Sequence, residues 1–414
     1  MVTRLKYIVI LADGMADYPV PELDGKTPME VAHKPHMDYL ASHGTVGLAQ
    51  TVPPGMPPGS DVANLAVMGY NPSEYYTGRS PLEAVSIGVD LSPSDVAFRC
   101  NLVTLSGEAD YSAQTMIDYS SDEISTAEAT ALIEDLARQL GNEQIHFYPG
   151  VSYRHLMVWH HGSNDCQLTP PHDISDRPIR GHLPQGEGAD QLLRLMVQST
   201  DILRDHPVNR QRIQRGLRPA TSIWLWGQGT KPNLSSFYQK YQLRGSVISA
   251  VDLAKGLGIC AGLDVIQVPG ATGNIHTNFK GKAEAALAAL AAGQDFIYLH
   301  VEAPDEAGHR GEIDNKIKAI EKIDGEILGP LLARLSQLSV DFKIMVLPDH
   351  PTPLSIKTHA SDPVPFVIYG SNHVQDSRSL DRATARFDEK SAATTGLFIE
   401  EGYRLMDRFI AGAL

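Results

Sequence analysis

Residues 6–14 of the chain read KYIVILADG, and this stretch decides the fold. The run YIVILA is apolar and contains β-branched residues, and it stops at Asp13-Gly14. A short continuous apolar run of this kind is typical of a buried strand in a parallel sheet. Such a strand would deliver the side chain of Asp13 to the carboxyl edge of the sheet.

Similar apolar runs recur at residues 295–301, 342–347 and 364–369, and helical patterns lie at residues 280–292 and 314–335. Strands that alternate with helices predict an α/β fold, with a mostly parallel sheet sandwiched by helices. Ligands of such a fold bind beyond the carboxyl ends of the strands.

The middle of the chain has a less regular apolar pattern and is predicted to be an inserted α+β cap. The predicted domains are therefore a discontinuous metal-binding core, residues 1–95 and 217–414, and a cap or substrate domain, residues 96–216. Within the cap, the patterns predict two strands and two helices, at residues 96–105, 154–159, 126–140 and 189–206.

Composition narrows the classes of function. The 414 residues carry a net charge of −14, which argues against nucleic acid or an anionic membrane as a partner. No stretch approaches the ~20 apolar residues of a membrane span, and the first apolar run is too short for a secretory signal. The three cysteines have no metal-binding spacing. These features predict a cytoplasmic protein whose core does not need metal to fold, so that any metal site would be catalytic.

Ser60 stands where a nucleophile would be well placed. It follows Gly59 in the segment PPGSDVANLAVMGY, whose pattern predicts a helix beginning at Ser60. A serine at a helix N-terminus commonly serves as a cap. The free N–H groups and the dipole there would also stabilise a phosphate attached to it. The segment alone leaves both interpretations open.

Six acidic and imidazole side chains follow predicted strand ends: Asp13, Asp305, His309, Asp349, His350 and His359. Asp305 and His309 lie four residues apart, so one helical turn would place both on one face. Asp349 and His350 can turn toward the same site only from a loop. Each cluster alone also fits a solvated surface, but together they suit a hard divalent metal.

In this order, the motifs resemble the alkaline phosphatase superfamily and, within it, the cofactor-independent phosphoglycerate mutases of the archaeal type, which also occur in bacteria. The segments that carry the resemblance span essentially the whole chain: LADGMAD, PPGSDVANLAVMGY, YYTGRSPLEA, PGATGNIHTN, APDEAGH, LPDH and KTHASDPVPF. The resemblance implies an alkaline-phosphatase-like fold. It also implies a phosphoglycerate mutase, which is an isomerase that needs no 2,3-bisphosphoglycerate and transfers the phosphoryl group through a phosphoserine.

The resemblance also implies two divalent metal ions. One would be held by Asp305, His309 and His359. The other would be held by Asp13, Asp349 and His350, with Ser60 as a shared or adjacent ligand. Manganese is the metal that the family implies, with magnesium, cobalt or zinc as alternatives. Coordination would assist deprotonation of the serine, which is otherwise a poor nucleophile, and two cations would clamp the attacking and leaving oxygens.

Of the features predicted here, the identity of the substrate is the one that the sequence determines least. A small phosphorylated substrate is expected, and a homo-oligomer is left open. Arg154, Arg177 and Lys280 are the predicted substrate-binding cations, because arginine grips carboxylate and phosphate groups. Residues 116–124 lack the arginines expected of archaeal mutases, and residues 206–229 resemble a bacterial branch proposed to contain homoserine kinases. A homoserine kinase-like phosphotransferase is therefore the alternative enzyme, and a metal-binding protein without turnover is the alternative outside enzymes.

Overall fold

The computed structural model describes residues 5–337, 340–371 and 386–412. The chain forms two compact units. Unit 1 comprises Met1–Tyr76 and Asn233–Leu414, and unit 2 comprises Thr77–Pro232. The predicted cap of residues 96–216 falls inside unit 2, and its exact limits as a folding domain stay a prediction.

The strands and helices are numbered in chain order. The described strands are β1 Lys6–Ala12, β2 Thr45–Ala49, β3 Val96–Leu105, β4 Met116–Asp118, β5 Ile145–Val151, β6 Arg154–Trp159, β7 Cys166–Gln167, β8 Gln185–Gly186, β9 Ser222–Thr230, β10 Gly245–Ile248, β11 Asp264–Ile266, β12 Phe296–Val301, β13 Phe342–Leu347, β14 Val364–Gly370 and β15 Phe398–Ile399. The described α-helices are α1 Pro28–Val31, α2 Pro35–His43, α3 Ser60–Val67, α4 Pro72–Tyr75, α5 Ser80–Ser86, α6 Thr126–Leu140, α7 Ala189–Arg204, α8 Pro207–Gln214, α9 Phe237–Tyr241, α10 Asp252–Cys260, α11 Phe279–Ala291, α12 Ala303–Arg310, α13 Ile313–Lys322, α14 Gly329–Gln337, α15 Glu389–Thr394 and α16 Arg404–Ala411.

In the described part of unit 1, eight strands form one sheet in the order β11-β10-β12-β1-β13-β14-β2-β15. Most neighbouring pairs are parallel; β14 is antiparallel to both β13 and β2. The predicted α/β class with a mostly parallel sheet is thereby confirmed. The antiparallel β14 corresponds to the apolar run at residues 364–369, whose direction the pattern could not specify.

The register of the central strands brings the predicted site residues to one edge. Leu11 of β1 lies beside His300 of β12 and beside Leu347 of β13. All three strands run in the same direction, so Asp13 and Asp349 leave the sheet at the same end. The strands are buried throughout this region, as the continuous apolar runs predicted.

The helices of unit 1 bury an apolar stripe against the sheet. Helix α11 contributes Phe279, Ala283 and Ala286 to the same core as Ile10 and Leu299. Such a stripe, spaced at three and four residues, is what an amphipathic helix needs to cover a sheet.

The helix predicted at residues 314–335 is divided in the structure. Helices α13 and α14 are joined by a π-helical segment, Ile323–Leu328. The segment places Asp324 at the N-terminus of α2, where its carboxylate accepts hydrogen bonds from the backbone N–H groups of His36 and Met37 at 3.2 and 2.7 Å. These groups have no partner within their own helix, so Asp324 stabilises the end of α2.

Unit 2 is built around β3, which pairs with β4, β6 and β9, all antiparallel; β5 extends the sheet beyond β6. Helices α6 and α7 contribute Leu132 and Leu192 to its apolar core. The predicted α+β character and the helix predicted at residues 126–140 agree with this structure. Among the described residues, none of the helices combines the length and the hydrophobicity that a bilayer span requires.

Candidate metal centre and nucleophile

The loop after β1 places Asp13 against the neighbouring strand end. Its Oδ2 lies 2.9 Å from Nε2 of His300, and its backbone N–H donates to the carbonyl of Val301 at 3.0 Å. Gly14 follows with a φ of +61°, and a Cβ there would lie 2.6 Å from Oδ1 and 2.7 Å from Cα of Asp305. Only glycine allows this turn and this approach to α12 without strain.

Ser60 is the first residue of α3, and the N-cap is Gly59, without a side-chain cap bond. The capping interpretation of Ser60 therefore does not describe the structure. Its Oγ lies 3.0 Å from Nε2 of His350, which is fully buried. Nδ1 of His350 approaches the carbonyl of Pro351 at 3.3 Å, so this nitrogen donates and Nε2 keeps its lone pair for the site.

Asn64, one turn after Ser60, connects the helix to the strand ends. Its side-chain N–H group donates to Oδ2 of Asp349 at 2.9 Å and to the carbonyl of Ser60 at 2.8 Å. Its Oδ1 accepts a hydrogen bond from the hydroxyl of Tyr298 at 2.7 Å. Because all of these groups are buried, the network fixes both the helix and the carboxylate.

One group of converging donors consists of Asp305, His309 and His359. Nδ1 of each histidine donates to a backbone carbonyl at 3.0 Å, Lys357 for His309 and Pro58 for His359. In the neutral rings both Nε2 atoms then carry lone pairs, yet they lie 2.9 Å apart, with Asp305 oxygens 3.3 and 3.5 Å away. Facing lone pairs beside a carboxylate repel unless a proton or a metal cation lies between them, so this donor set fits a divalent metal.

A second group consists of Asp13, Asp305 and His350, so the structure brings Asp305 into both groups. Oδ1 of Asp13 is buried, has no hydrogen-bond partner among the described residues, and lies 3.6 Å from Nε2 of His350. An orphaned buried carboxylate oxygen is the feature expected where an ion would bind. Asp349, predicted for this group, has Oδ2 3.4 Å from the same nitrogen, while its Oδ1 accepts hydrogen bonds from the backbone N–H groups of Gly14 and His350. Its role as a direct ligand stays a prediction.

The electrostatics of the two groups differ. Burial, together with the charges of Asp349 and Asp305, holds the pKa of Asp13 well above its ordinary value. Burial would also raise the pKa of Asp305, but hydrogen bonds with His309 and His359 outweigh it and hold that pKa well below its ordinary value. The hydrogen bond to Asp305 in turn raises the pKa of His309 to about 9. A cluster of buried carboxylates that cannot all ionise alone favours the binding of cations.

The three side chains predicted to bind substrate are all at the protein surface. Arg154, Arg177 and Lys280 are all exposed, and the guanidinium of Arg154 lies 5.4 Å from the centre of the Tyr153 ring.

Two other arginines of unit 2 are held by one carboxylate. Nε of Arg79 donates to Oε1 of Glu83 at 2.9 Å, and Arg99 binds both oxygens of Glu83 at 2.7 and 2.9 Å. Burial would raise the pKa of Glu83, but the two guanidinium groups outweigh it and lower this pKa to about 2. The three residues carry a net positive charge.

Residues 116–124 contain no arginine, but arginine side chains from elsewhere in unit 2 contact this segment. Nη1 of Arg218 lies 3.1 Å from Oδ2 of Asp118, and a guanidinium nitrogen of Arg212 donates to the carbonyl of Ser121 at 2.5 Å. Polar groups of this segment are therefore paired with arginines of α8 and of the loop that follows it.

A protein of Geobacter sulfurreducens, named "Probable 2,3-bisphosphoglycerate-independent phosphoglycerate mutase", is 53% identical over 406 residues, covering 98% of this chain and 100% of that protein. This chain belongs to the 2,3-bisphosphoglycerate-independent phosphoglycerate mutase family. The model of this mutase family matches residues 41–209. A mutase of the same name from Methanosarcina barkeri is 51% identical and covers 94% of this chain and 95% of its own.

Two solved structures are similar to this chain over nearly its whole length. The PH0037 protein of Pyrococcus horikoshii is 29% identical with a TM-score of 0.81, covering 99% of this chain and 98% of its own. The cofactor-independent phosphoglycerate mutase of Thermoplasma acidophilum is 26% identical with a TM-score of 0.67, covering 99% of this chain and 100% of its own.

Sequence reasoning missed several residues around the site of this mutase-family chain. His300 contacts Asp13, and burial lowers its pKa to about 4, so it is neutral. Lys282 is fully buried and donates to the carbonyl of His300 at 2.9 Å, whereas the predicted Lys280 is exposed. Burial lowers the pKa of Lys282 to about 8. The signal was available, because Lys282 lies three residues after Phe279 on the apolar face of α11.

Proposed function

We propose that this chain interconverts 2- and 3-phosphoglycerate through a phosphoserine at Ser60, with two divalent ions held by the predicted ligands. The observation that carries the proposal is the position of Ser60 Oγ, 3.0 Å from His350 Nε2 and at the first turn of α3. The membership of the mutase family selects the reaction. Since this reaction is a step of glycolysis, we place it in the cytoplasm.

We propose that the metal ligands form two groups, one for each ion, in the way that the resemblance to the family implies. Asp305, His309 and His359 would hold one ion, and Asp13, Asp349 and His350, with Ser60, the other. Carboxylate and imidazole donors suit manganese, and they also accept magnesium, cobalt or zinc. When bound, the ions would lower the pKa of the serine hydroxyl and neutralise the oxygens of the transferring phosphoryl group.

The transfer consists of two displacements. Ser60 Oγ loses its proton and forms a bond to phosphorus as the bond from phosphorus to one glycerate oxygen breaks, and that oxygen takes a proton. The other glycerate hydroxyl then attacks the phosphoserine, its proton is lost, and Ser60 Oγ leaves and regains a hydrogen. The N-terminus of α3 points its dipole at the phosphoserine and stabilises its negative charge. Asn64 keeps α3 in place by bonding both Ser60 and Asp349.

A mutase must also retain the free glycerate between the two displacements, because water would otherwise capture the phosphoryl group. The exposed guanidinium groups of Arg154 and Arg177, with Lys280, are the proposed partners of the carboxylate and phosphate. Arg79 and Arg99 are already engaged by Glu83, so they are weaker candidates.

The test compares the wild-type protein on 3-phosphoglycerate alone and on homoserine with ATP, followed by phosphorus NMR. We expect 2-phosphoglycerate from the first mixture and no phosphohomoserine from the second. The opposite result would replace the mutase with a homoserine kinase. Ser60→Ala should lower turnover by at least about a thousandfold while Mn²⁺ still binds. Ser42→Ala, at a half-buried position near the end of α2, is the matched control and should leave turnover unchanged.

A further inference from the structure

Lys316 is a fully buried lysine in the middle of α13. Its Nζ donates to Oδ2 of Asp17 at 2.7 Å, to the carbonyl of Thr352 at 2.8 Å and to the carbonyl of Ala16 at 3.2 Å. An ammonium group has three hydrogens, and each has an acceptor here. The arrangement is fully satisfied, so the ammonium fixes the positions of all three acceptors.

The acceptors belong to two loops that carry proposed metal ligands. Ala16 and Asp17 follow Asp13 by three and four residues, and Thr352 follows His350 by two. The carboxylate of Asp17 also accepts hydrogen bonds from the backbone N–H of Leu354, at 3.1 and 3.3 Å. Asp17 and Lys316 together therefore join the loop after β1 to the loop after β13.

The third connection is to Asp305. The hydroxyl of Thr352 donates to Oδ1 of Asp305, while the carbonyl of Thr352 accepts from Lys316. Helix α13, which carries Lys316, begins three residues after the end of α12, which carries Asp305 and His309. Three separate ligand-bearing segments thus meet at one ammonium group.

We infer that Lys316 is a positioning residue: its ammonium aligns the segments bearing Asp13, His350 and Asp305, so that the donors converge before a divalent ion binds. The inference rests on the metal site of the proposed function. It assigns to Lys316 no contact with substrate and no role in proton transfer.

Energetics favour alignment over stability as the reason for this lysine. A buried ion pair seldom stabilises a fold more than a well-packed apolar pair of the same volume. Residues that orient metal ligands typically change metal affinity by about 10–100-fold when they are replaced. A buried lysine at the meeting point of three ligand segments is therefore better explained by the orientation of metal ligands than by stabilisation of the fold.

The test is a calorimetric titration of Mn²⁺ into Lys316→Met. The matched control is Lys34→Met: Lys34 is also a buried lysine of unit 1, and its Nζ donates to Asp38 at 2.8 Å away from the ligand loops. We expect Lys316→Met to bind Mn²⁺ about 10–100-fold more weakly, and Lys34→Met to bind like the wild type. Turnover of Lys316→Met should recover as Mn²⁺ is raised while its far-ultraviolet circular dichroism stays that of a folded protein, which separates weaker metal binding from a general loss of stability.

Equal Mn²⁺ affinity in Lys316→Met and the wild type would overturn the inference while leaving the proposed function intact. If the wild-type protein binds no Mn²⁺, the proposed metal site fails first and the inference falls with it. Should Lys316→Met not fold, Asp17→Asn gives the same test, since it keeps the size of the side chain, removes the charge that holds Lys316 and replaces one acceptor oxygen with an N–H donor. It should weaken Mn²⁺ binding several-fold, and unchanged binding in this variant would refute the alignment.

Discussion

Replacing Gly14 by alanine should damage the site through the backbone alone. The new Cβ would lie 2.7 Å from Cα of Asp305 and 2.5 Å from Oγ1 of Thr352. A backbone atom cannot rotate away as a flexible side chain can. To reach an ordinary contact near 3.4 Å, α12 and the loop after β1 must separate by roughly 0.7 Å.

The expected loss of stability has two parts. A non-glycine residue in the left-handed region costs about 1–2 kcal/mol. Forcing extra volume into a packed contact typically costs a further ~1–3 kcal/mol. The control is Gly25→Ala, because Gly25 has a φ of +73° and nothing within 4 Å of a new Cβ, so it carries only the first cost.

Urea unfolding would measure the free energies, and calorimetric titration with Mn²⁺ the metal affinity. We expect Gly14→Ala to lose about 1–3 kcal/mol more than Gly25→Ala and to bind Mn²⁺ at least about tenfold more weakly, since Asp305 is displaced. If both variants lose the same stability and Gly14→Ala binds Mn²⁺ like the wild type, the tight approach of the two segments does not form the site.

Three further outcomes are expected. Chelation with EDTA should inactivate the protein reversibly without changing its far-ultraviolet circular dichroism. Both units have apolar cores that do not contain the proposed metal ligands, so the fold should not depend on the metal. Global unfolding on chelation would show that the metal is structural. Glu83→Gln should destabilise the protein at pH 7 by about 3 kcal/mol, because the pKa of Glu83 falls from 4.5 to about 2 on folding. The difference in stability from the wild type should shrink as the pH is lowered from 4.5 toward 2, where the carboxylate protonates in both the folded and the unfolded state. A difference that does not depend on pH would contradict the ion pairs as its source. The double variant Arg154→Ala, Arg177→Ala should slow mutase turnover at low substrate concentration without loss of stability, since both side chains are exposed. The control Arg194→Ala, which replaces another exposed arginine of unit 2, should not slow turnover. Equal turnover in the double variant and the control would show that neither Arg154 nor Arg177 takes part in substrate recognition.

The sequence was sufficient for elements that have a strong local pattern. The helix predicted at residues 126–140 and the strand predicted at residues 96–105 have the same limits in the structure. The helical turn joining Asp305 and His309 also forms as predicted, because spacing within one element is a local property.

Contacts between distant segments could not be predicted in the same way. Lys316 meets Asp17 across 299 residues and Thr352 across 36 residues. His300 was visible as the end of an apolar strand, but its contact with Asp13 depends on which strand lies beside β12. Periodicity determines which face a side chain occupies, whereas strand order is determined by packing over the whole sheet.

The position of β1 at the centre of the sheet has a consequence for biosynthesis. Its two neighbours, β12 and β13, begin at Phe296 and Phe342, so β1 leaves the ribosome long before either partner exists. At synthesis rates of about 5–20 residues per second, the roughly 330 residues between β1 and β13 take about 15–65 s to make. Until β12 has been made, this apolar strand has both edges unpaired, which makes it a target for aggregation and for chaperones. All strands of the unit 2 sheet, by contrast, lie between Val96 and Thr230, so that sheet can be complete while β1 is still waiting for its partners.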